Sequence, residues 1–160
     1  MIPPIDDAPA AGRWVKAAHL VFGSGLRHRT GPIRELQQTA AAAATVRAVG
    51  GGDSGDSTVV TVGDLVLIDR LRAVLAIDPL QMSGCVDTGN RYGELTSQWY
   101  RGGLALENLS SMTHMSVAGA FFGGVHGPGN RDGSVSHAVT SVAVAHRSLA
   151  AQKRELRCNL

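Results

Sequence analysis

The sequence has few cysteines, no cluster of charge and no long apolar run, and each absence excludes a class of function. Its two cysteines, Cys85 and Cys158, fit no metal-binding motif and no disulfide framework, so both are expected to be free thiols in a reducing compartment. No run of five basic residues occurs and the net charge is +2, which argues against binding to nucleic acid or to an anionic membrane. No apolar segment reaches about 18 residues, and residues 1–12 lack the basic and apolar regions of a signal peptide. We therefore expect a cytoplasmic protein without a membrane partner.

Two catalytic signatures are also missing. The six histidines show neither the H-x-x-x-H nor the H-x-x-E-H spacing of a zinc site, so no metal site is predicted. His114 and His126 are interpreted either as neighbours of a bound cofactor or as ordinary loop histidines. The sequence has no G-x-S-x-G elbow, which excludes the usual serine hydrolase arrangement.

The composition is typical of one small folded domain. Of the 160 residues, 44% are hydrophobic and 18% are charged, and the 20 glycines indicate many turns. The pattern predicts an irregular N-terminal entry over residues 1–31, with one short strand near 19–22. A domain over residues 32–146 and a helix-prone tail over 147–160 follow.

Helices and short strands alternate across the predicted domain. Helices are expected at about 32–44 and 91–103, and a third, short helix is expected to begin after Ser116 as its N-cap. Segments rich in β-branched residues predict strands at 45–49, 64–68, 73–77, 83–88 and 138–145. This order predicts an α+β fold with small mixed β-sheets and flanking helices.

A glycine-rich loop follows the strand-like segment TVRAV. Residues Ala48–Ser57 read AVGGGDSGDS and contain G-x-G-x-x-G at Gly50, Gly52 and Gly55. A Rossmann fingerprint requires a helix after the glycines, but the strand-like STVVTV follows here, and the Lys-Ser/Thr of a P-loop is absent. An ordinary turn and a loop whose amides bind an anion stay open as alternatives. We predict that Gly50–Ser54 forms a turn and does not begin a helix.

A second segment rich in small residues supports anion binding. Residues 110–129 read SSMTHMSVAGAFFGGVHGPG and offer the hydroxyls of Ser111 and Ser116, several unhindered amides and a helix start. Two such loops among small strands suggest a large anionic cofactor between them.

From about residue 45 to 144, the order of motifs resembles a known family. The segments VRAVGGGDS, GDLVLIDRLRAVLAIDP and RYGELTSQWYRGGLALENLSSMTHMSVAGA are similar to the PCMH-type FAD-binding domain of the vanillyl-alcohol oxidase superfamily, and within it to alditol, xylitol and sugar-lactone oxidases. The resemblance implies FAD as cofactor, hydride transfer from an alcohol to the flavin, and reoxidation by dioxygen to give hydrogen peroxide. The residues that it places at FAD are Gly50, Gly51, Gly52, Asp53, Ser54, Ser111, Ser116, Gly119, Ala120 and His126.

The sequence departs from the family pattern in three places. Asp53 stands where covalent-flavin members have the histidine that bonds the isoalloxazine, so FAD is expected to be non-covalent. An ionised Asp53 would also repel a solvated pyrophosphate by about 1 kcal/mol. Phe121 and Phe122 replace smaller residues after S-V-A-G and would crowd the cofactor. The chain ends before the rest of the flavin domain and the substrate domain, so a truncated domain is expected.

Three hypotheses for the function stay open. The chain is either the FAD-binding portion of an oxidoreductase, or a non-catalytic remnant that keeps the fold without tight FAD binding. As an FAD-binding portion it would be inactive alone, and would meet a small polyol or sugar lactone only when the missing part is supplied. A small interaction module is supported only by the tail AAQKRELRCNL. The unfinished domain edge further predicts self-association.

Overall fold

The computed structural model describes residues 14–16, 20–22, 26–31, 33–54, 60–128 and 133–145. The strands are β1 (Trp14–Lys16), β2 (Leu20–Phe22), β3 (Arg27–Arg29), β4 (Val46–Val49), β5 (Asp64–Leu67), β6 (Val74–Asp78) and β7 (Ser83–Val86). The helices are α1 (Ile33–Ala42), α2 (Tyr92–Arg101) and α3 (Val117–Phe122), followed by a 3-10 helix at Val135–Ala138. This mixture of helices and short strands confirms the predicted α+β class.

The strands form three small sheets. In the central sheet, β3 and β4 both run parallel to β5, in the order β3-β5-β4. The other two sheets are antiparallel pairs, β1 with β2 and β6 with β7. Parallel strands need a crossover connection, and α1 lies on the one between β3 and β4. Because the three central strands run the same way, their carboxyl ends lie along one edge, at Thr30, Gly50 and Ile68.

Among the described residues, two clusters of buried apolar side chains join the central sheet and the helices. The first consists of Val66, Ile68 and Leu71, with Leu36, Val46 and Ala118 packed against it. The second consists of Tyr92, Ala120 and Val135. Ala118 and Ala120 of α3 therefore pack on different clusters, so this short helix ties the central sheet to α2. Burial raises the pKa of the Tyr92 phenol to about 12.

Most of the predicted elements are confirmed. The helices and the four strands between residues 45 and 88 form where the pattern placed them, with ends shifted by one or two residues, and Leu20–Phe22 is the expected N-terminal strand. Cys85 is an exposed free thiol, whereas Cys158 and the tail at 147–160 lie outside the described residues. None of the described helices has the length and apolar character needed to cross a membrane.

The predicted strand at 138–145 is wrong. A 3-10 helix takes Val135–Ala138, and residues 139–145 have no regular structure and pair with none of the described strands. β-Branched residues favour a strand only where a neighbouring strand accepts their hydrogen bonds. The strand at Arg27–Arg29 was not predicted, because the segment RHR has little β propensity. It forms β3 because it pairs with β5.

Candidate functional site

The first glycine loop lies at the carboxyl edge of the central sheet. Gly50–Ser54 follows β4, bends at Gly50 and Gly51, and begins no helix up to Ser54, as predicted, while Gly55 lies outside the described residues. Gly52 has a φ angle of +69°, in the left-handed region that glycine adopts at little cost. Ligands of parallel sheets bind beyond the carboxyl ends of the strands, so this edge is the expected place for a site.

Gly50 lies against the start of α3, so the two glycine-rich segments are in contact. A Cβ built on Gly50 would overlap the Ser116 hydroxyl and would lie 3.6 Å from the Gly119 amide nitrogen. Ser116 is the N-cap of α3, as predicted, and its Oγ accepts a hydrogen bond from Gly119 N at 3.1 Å. Only glycine at position 50 leaves this cap undisturbed.

The first amides of α3 are bonded within the protein. Val117 N donates to Asn90 O at 2.8 Å and Ala118 N donates to Thr88 O at 2.9 Å. The next two amides donate to the hydroxyl and the carbonyl of Ser116. The sequence suggested that this helix start would bind a diphosphate. In this conformation, however, the donors would have to come from the glycine loop or from side chains.

A small cavity lies between the two loops. Its volume is about 10 Å³, close to the space that one water molecule requires. The residues that line it are Gly50, Gly51, Ile68, Asp69, Arg72, Gly89, Arg91 and Ser116. Three of these residues are glycines, and the charged ones are Asp69, Arg72 and Arg91. Arg72 Nη1 also lies 3.4 Å from Glu94 Oε1, so part of its charge is already offset. Neither Phe121 nor Phe122 lines this cavity, and the Phe122 side chain is 75% exposed.

Asp69 is held at the sheet edge by two arginines. Arg29 Nε donates to both carboxylate oxygens, at 3.1 Å and 2.9 Å. Arg72 Nε donates to the backbone oxygen of Asp69 at 2.6 Å. Burial alone would raise the pKa of the Asp69 carboxyl, but the hydrogen bonds and charge of Arg29, with the charge of Arg72, lower it below 3.8. The negative charge of Asp69 is therefore largely offset by Arg29.

Asp69→Asn is expected to lower the free energy of unfolding by about 1–3 kcal/mol at neutral pH, because a half-buried Arg29 loses its carboxylate. The depressed pKa means that Asp69 stabilises the fold fully above its unfolded pKa and loses this effect as the pH falls through its folded pKa. Urea unfolding of both proteins should therefore show a difference at neutral pH that shrinks below about pH 4. A difference that stays constant into the acid range would contradict this assignment.

Asp53 pairs with a residue of the second loop. Its Oδ1 lies 3.5 Å from Nε2 of His114, and its Oδ2 occupies the space where a Cβ on Gly51 would lie. The Asp53 side chain is only 14% exposed, whereas that of His114 is 54% exposed. Arg91 Nη1 donates to the His114 backbone oxygen at 3.2 Å. The sequence had suggested His114 as a neighbour of the cofactor, but its pairing with Asp53 was not foreseen.

The sequence that forms this site matches a known protein family. The FAD binding domain family matches residues 32–148. The chain belongs to this PCMH-type FAD-binding family.

Relatives of this FAD-binding domain include two kinds of oxidase. The chain is 30% identical over 129 residues to the alditol oxidase of a Streptomyces species, covering 79% of this chain and 31% of that protein. It is 32% identical over 104 residues to the D-arabinono-1,4-lactone oxidase of Yarrowia lipolytica, covering 62% of this chain and 20% of that protein. The chain thus spans less than a third of the length of these curated relatives.

A solved structure of alkyldihydroxyacetonephosphate synthase has a similar fold. The TM-score is 0.70 at 17% sequence identity, and the match covers 78% of this chain and 25% of the other. At this identity the likeness concerns the fold alone.

The FAD-binding domain brings some of the predicted contact residues together and separates others. Gly50, Gly51, Asp53 and Ser116 lie at the junction of the two loops. Ala120 is fully buried in the second apolar cluster, which gives it a packing role. The remaining predicted residues are Gly52, Ser54, Ser111, Gly119 and His126, and their contact with FAD stays a prediction.

Two cationic residues were missing from the prediction. Arg72 and Arg91 line the cavity, and neither was predicted as a cofactor contact from the sequence. Arg91 directly precedes α2, where its backbone bridges that of Ser116 in antiparallel fashion. Its position next to a glycine-containing turn, in GNRYGEL, is the one signal that could have indicated it.

Proposed function

We propose that this chain is the FAD-binding portion of an oxidoreductase similar to the alditol and sugar-lactone oxidases, with its FAD site within residues 32–146. The contact between the glycine loop and the α3 cap, at the carboxyl edge of the parallel sheet, carries the proposal. When bound, the flavin would supply hydride acceptance from an alcohol carbon and electron transfer to dioxygen.

The residues at the loop junction fit a diphosphate. The side chains of Ser116 and Asp53 fill the space where a Cβ on Gly50 or Gly51 would lie, so a diphosphate would have to approach the glycine loop from another side. Glycine loops of this kind bind anions through their amides. The guanidinium groups of Arg72 and Arg91 would offset the charge of the diphosphate. Because the cavity is the size of one water molecule, the dinucleotide would lie across its mouth.

Titration of the purified protein with FAD tests this proposal. Saturable quenching of flavin fluorescence, together with a shifted visible spectrum, is expected. The second candidate is a remnant that keeps the fold without tight FAD binding. It is favoured by the internally bonded amides at the start of α3, and it predicts no saturation.

We further propose that FAD binds non-covalently. Asp53 offers a carboxylate, already paired with His114, where family members that bind flavin covalently have a histidine nitrogen. FAD bound to this protein is therefore expected to stay in the supernatant after acid precipitation, as measured by flavin absorbance. Flavin retained in the denatured pellet would contradict the proposal. Asp53→His is expected to retain flavin only if FAD already binds in register.

Oxidase activity is proposed to require more than this chain. Since the chain spans 31% of its alditol oxidase relative, the surface that contacts a polyol or sugar lactone would come from a part that these residues do not cover. Positioning of the substrate contributes up to about 7–11 kcal/mol to catalysis in well-oriented reactions. Little peroxide is therefore expected from this chain with FAD and xylitol.

We propose that copies of this chain associate through exposed apolar surface, at residues 139–145 and at the β6–β7 hairpin. These residues pair with no described strand, and the Val144 side chain is 53% exposed. Leu80 and Met82, at the tip of the β6–β7 hairpin, are 97% and 80% exposed. Exposed apolar surface and unpaired backbone favour association between copies.

A further inference from the structure

We propose that His114 is a positioning residue that offsets the charge of Asp53 beside the diphosphate site, so that FAD binds more tightly when His114 is protonated. The inference rests on the proposed FAD binding and names a determinant of affinity within the same site.

The Asp53 carboxylate lies next to both Gly51, which lines the cavity, and His114. One of its oxygens takes the space beside Gly51, a residue that lines the cavity, and the other lies 3.5 Å from His114 Nε2. A negative charge this close to the wall repels a diphosphate, and the low exposure of Asp53 limits screening by water. A protonated imidazole beside the carboxylate would oppose that repulsion.

The backbone around His114 is fastened on both sides. Gly93 N donates to Thr113 O at 2.8 Å, and Tyr92 N donates to Met115 O at 3.0 Å. The His114 carbonyl itself accepts the hydrogen bond from Arg91. The backbone of this segment is thus held by three hydrogen bonds, while the His114 side chain is 54% exposed.

Among the described residues, Asp53 on the glycine loop contacts the His114 ring. Arg91, which precedes α2, contacts the His114 carbonyl rather than the ring. Histidine is the side chain whose charge ordinarily changes between about pH 5 and pH 8. If His114 only packs against its neighbours, replacing it should leave the pH dependence of FAD affinity as in the parent protein. If its charge matters, replacing it with an uncharged residue should remove that pH dependence.

The dissociation constant of FAD, measured by quenching of flavin fluorescence at about pH 5.5 and about pH 8, tests the inference. The parent protein is expected to bind FAD about two- to fivefold more tightly at the lower pH, the size typical of a half-exposed ion pair. His114→Gln is expected to bind weakly at both pH values. His114→Lys, which stays charged, is expected to bind tightly at both.

A second histidine–aspartate pair supplies the matched control. His28 Nε2 lies 2.9 Å from Asp64 Oδ2. His28 belongs to β3, which is separated by β5 from β4 and its glycine loop. His28→Gln is therefore expected to keep the pH dependence of the parent protein.

The outcomes separate the two claims. Equal FAD affinity of the parent at both pH values, or a pH dependence that persists in His114→Gln, would overturn the inference and leave FAD binding intact. Absence of saturable FAD binding by the parent at either pH would overturn both. If His114→Gln does not fold, His114→Lys decides the question, because a pH dependence like that of the parent in this variant refutes the role of His114.

Discussion

Gly50→Val is expected to abolish detectable FAD binding and to lower the free energy of unfolding by about 1–3 kcal/mol, as overpacking typically does. The added side chain would overlap the Ser116 hydroxyl, so either the glycine loop or the N-cap of α3 must move. Both changes separate the two loops at the proposed diphosphate site. Urea unfolding and flavin quenching measure the two effects on the same sample.

Gly31→Ala is the control for this variant. A Cβ at Gly31 meets no atom within 4 Å, so the stability should change by less than about 0.5 kcal/mol. Its affinity for FAD should equal that of the parent. If Gly50→Val behaved like Gly31→Ala, the close approach between Gly50 and Ser116 would have no part in FAD binding.

Leu95→Ala is expected to cost about 2–5 kcal/mol of unfolding free energy, the range for truncating a large aliphatic side chain in a core. The Leu95 side chain is 2% exposed on the inner face of α2, and neighbouring atoms can fill the resulting space only in part. The folded fraction should bind FAD as the parent does, because Leu95 lines no part of the cavity.

Leu80→Ala removes the same atoms at a site that is 97% exposed. Its stability is expected to change by less than about 0.5 kcal/mol. Equal losses in the two leucine variants would show that α2 does not pack as described.

Local signals predicted the parts of the fold that depend on neighbours in sequence. The N-cap at Ser116 is one example, since serine is among the residues preferred at that position. β3 and the segment 139–145 could not be predicted in this way, because strand structure there depends on whether a distant strand pairs with it. Propensity gave the wrong answer in both cases, and in opposite directions.

The candidate site shows the same division. The glycine loop could be located from its composition. Its direct contact with the second loop was not predicted, because a cofactor was expected between the two loops. The pairing of Asp53 with His114 joins residues that are far apart in the chain, and no periodic pattern links them. The internal bonding of the α3 amides was equally invisible, because it depends on carbonyls contributed by Thr88 and Asn90.

The topology of the central sheet also sets an order of assembly. β6 and β7 are joined by residues 79–82 alone, so this hairpin closes a short loop and can form early. β3 and β5 are separated in the chain by α1 and β4, so their pairing closes a long loop. Such non-local pairings are the slow steps of folding. We therefore expect the carboxyl edge of the central sheet, which needs all three strands, to be completed after the hairpin. FAD that binds only the completed edge would stabilise the folded domain by mass action.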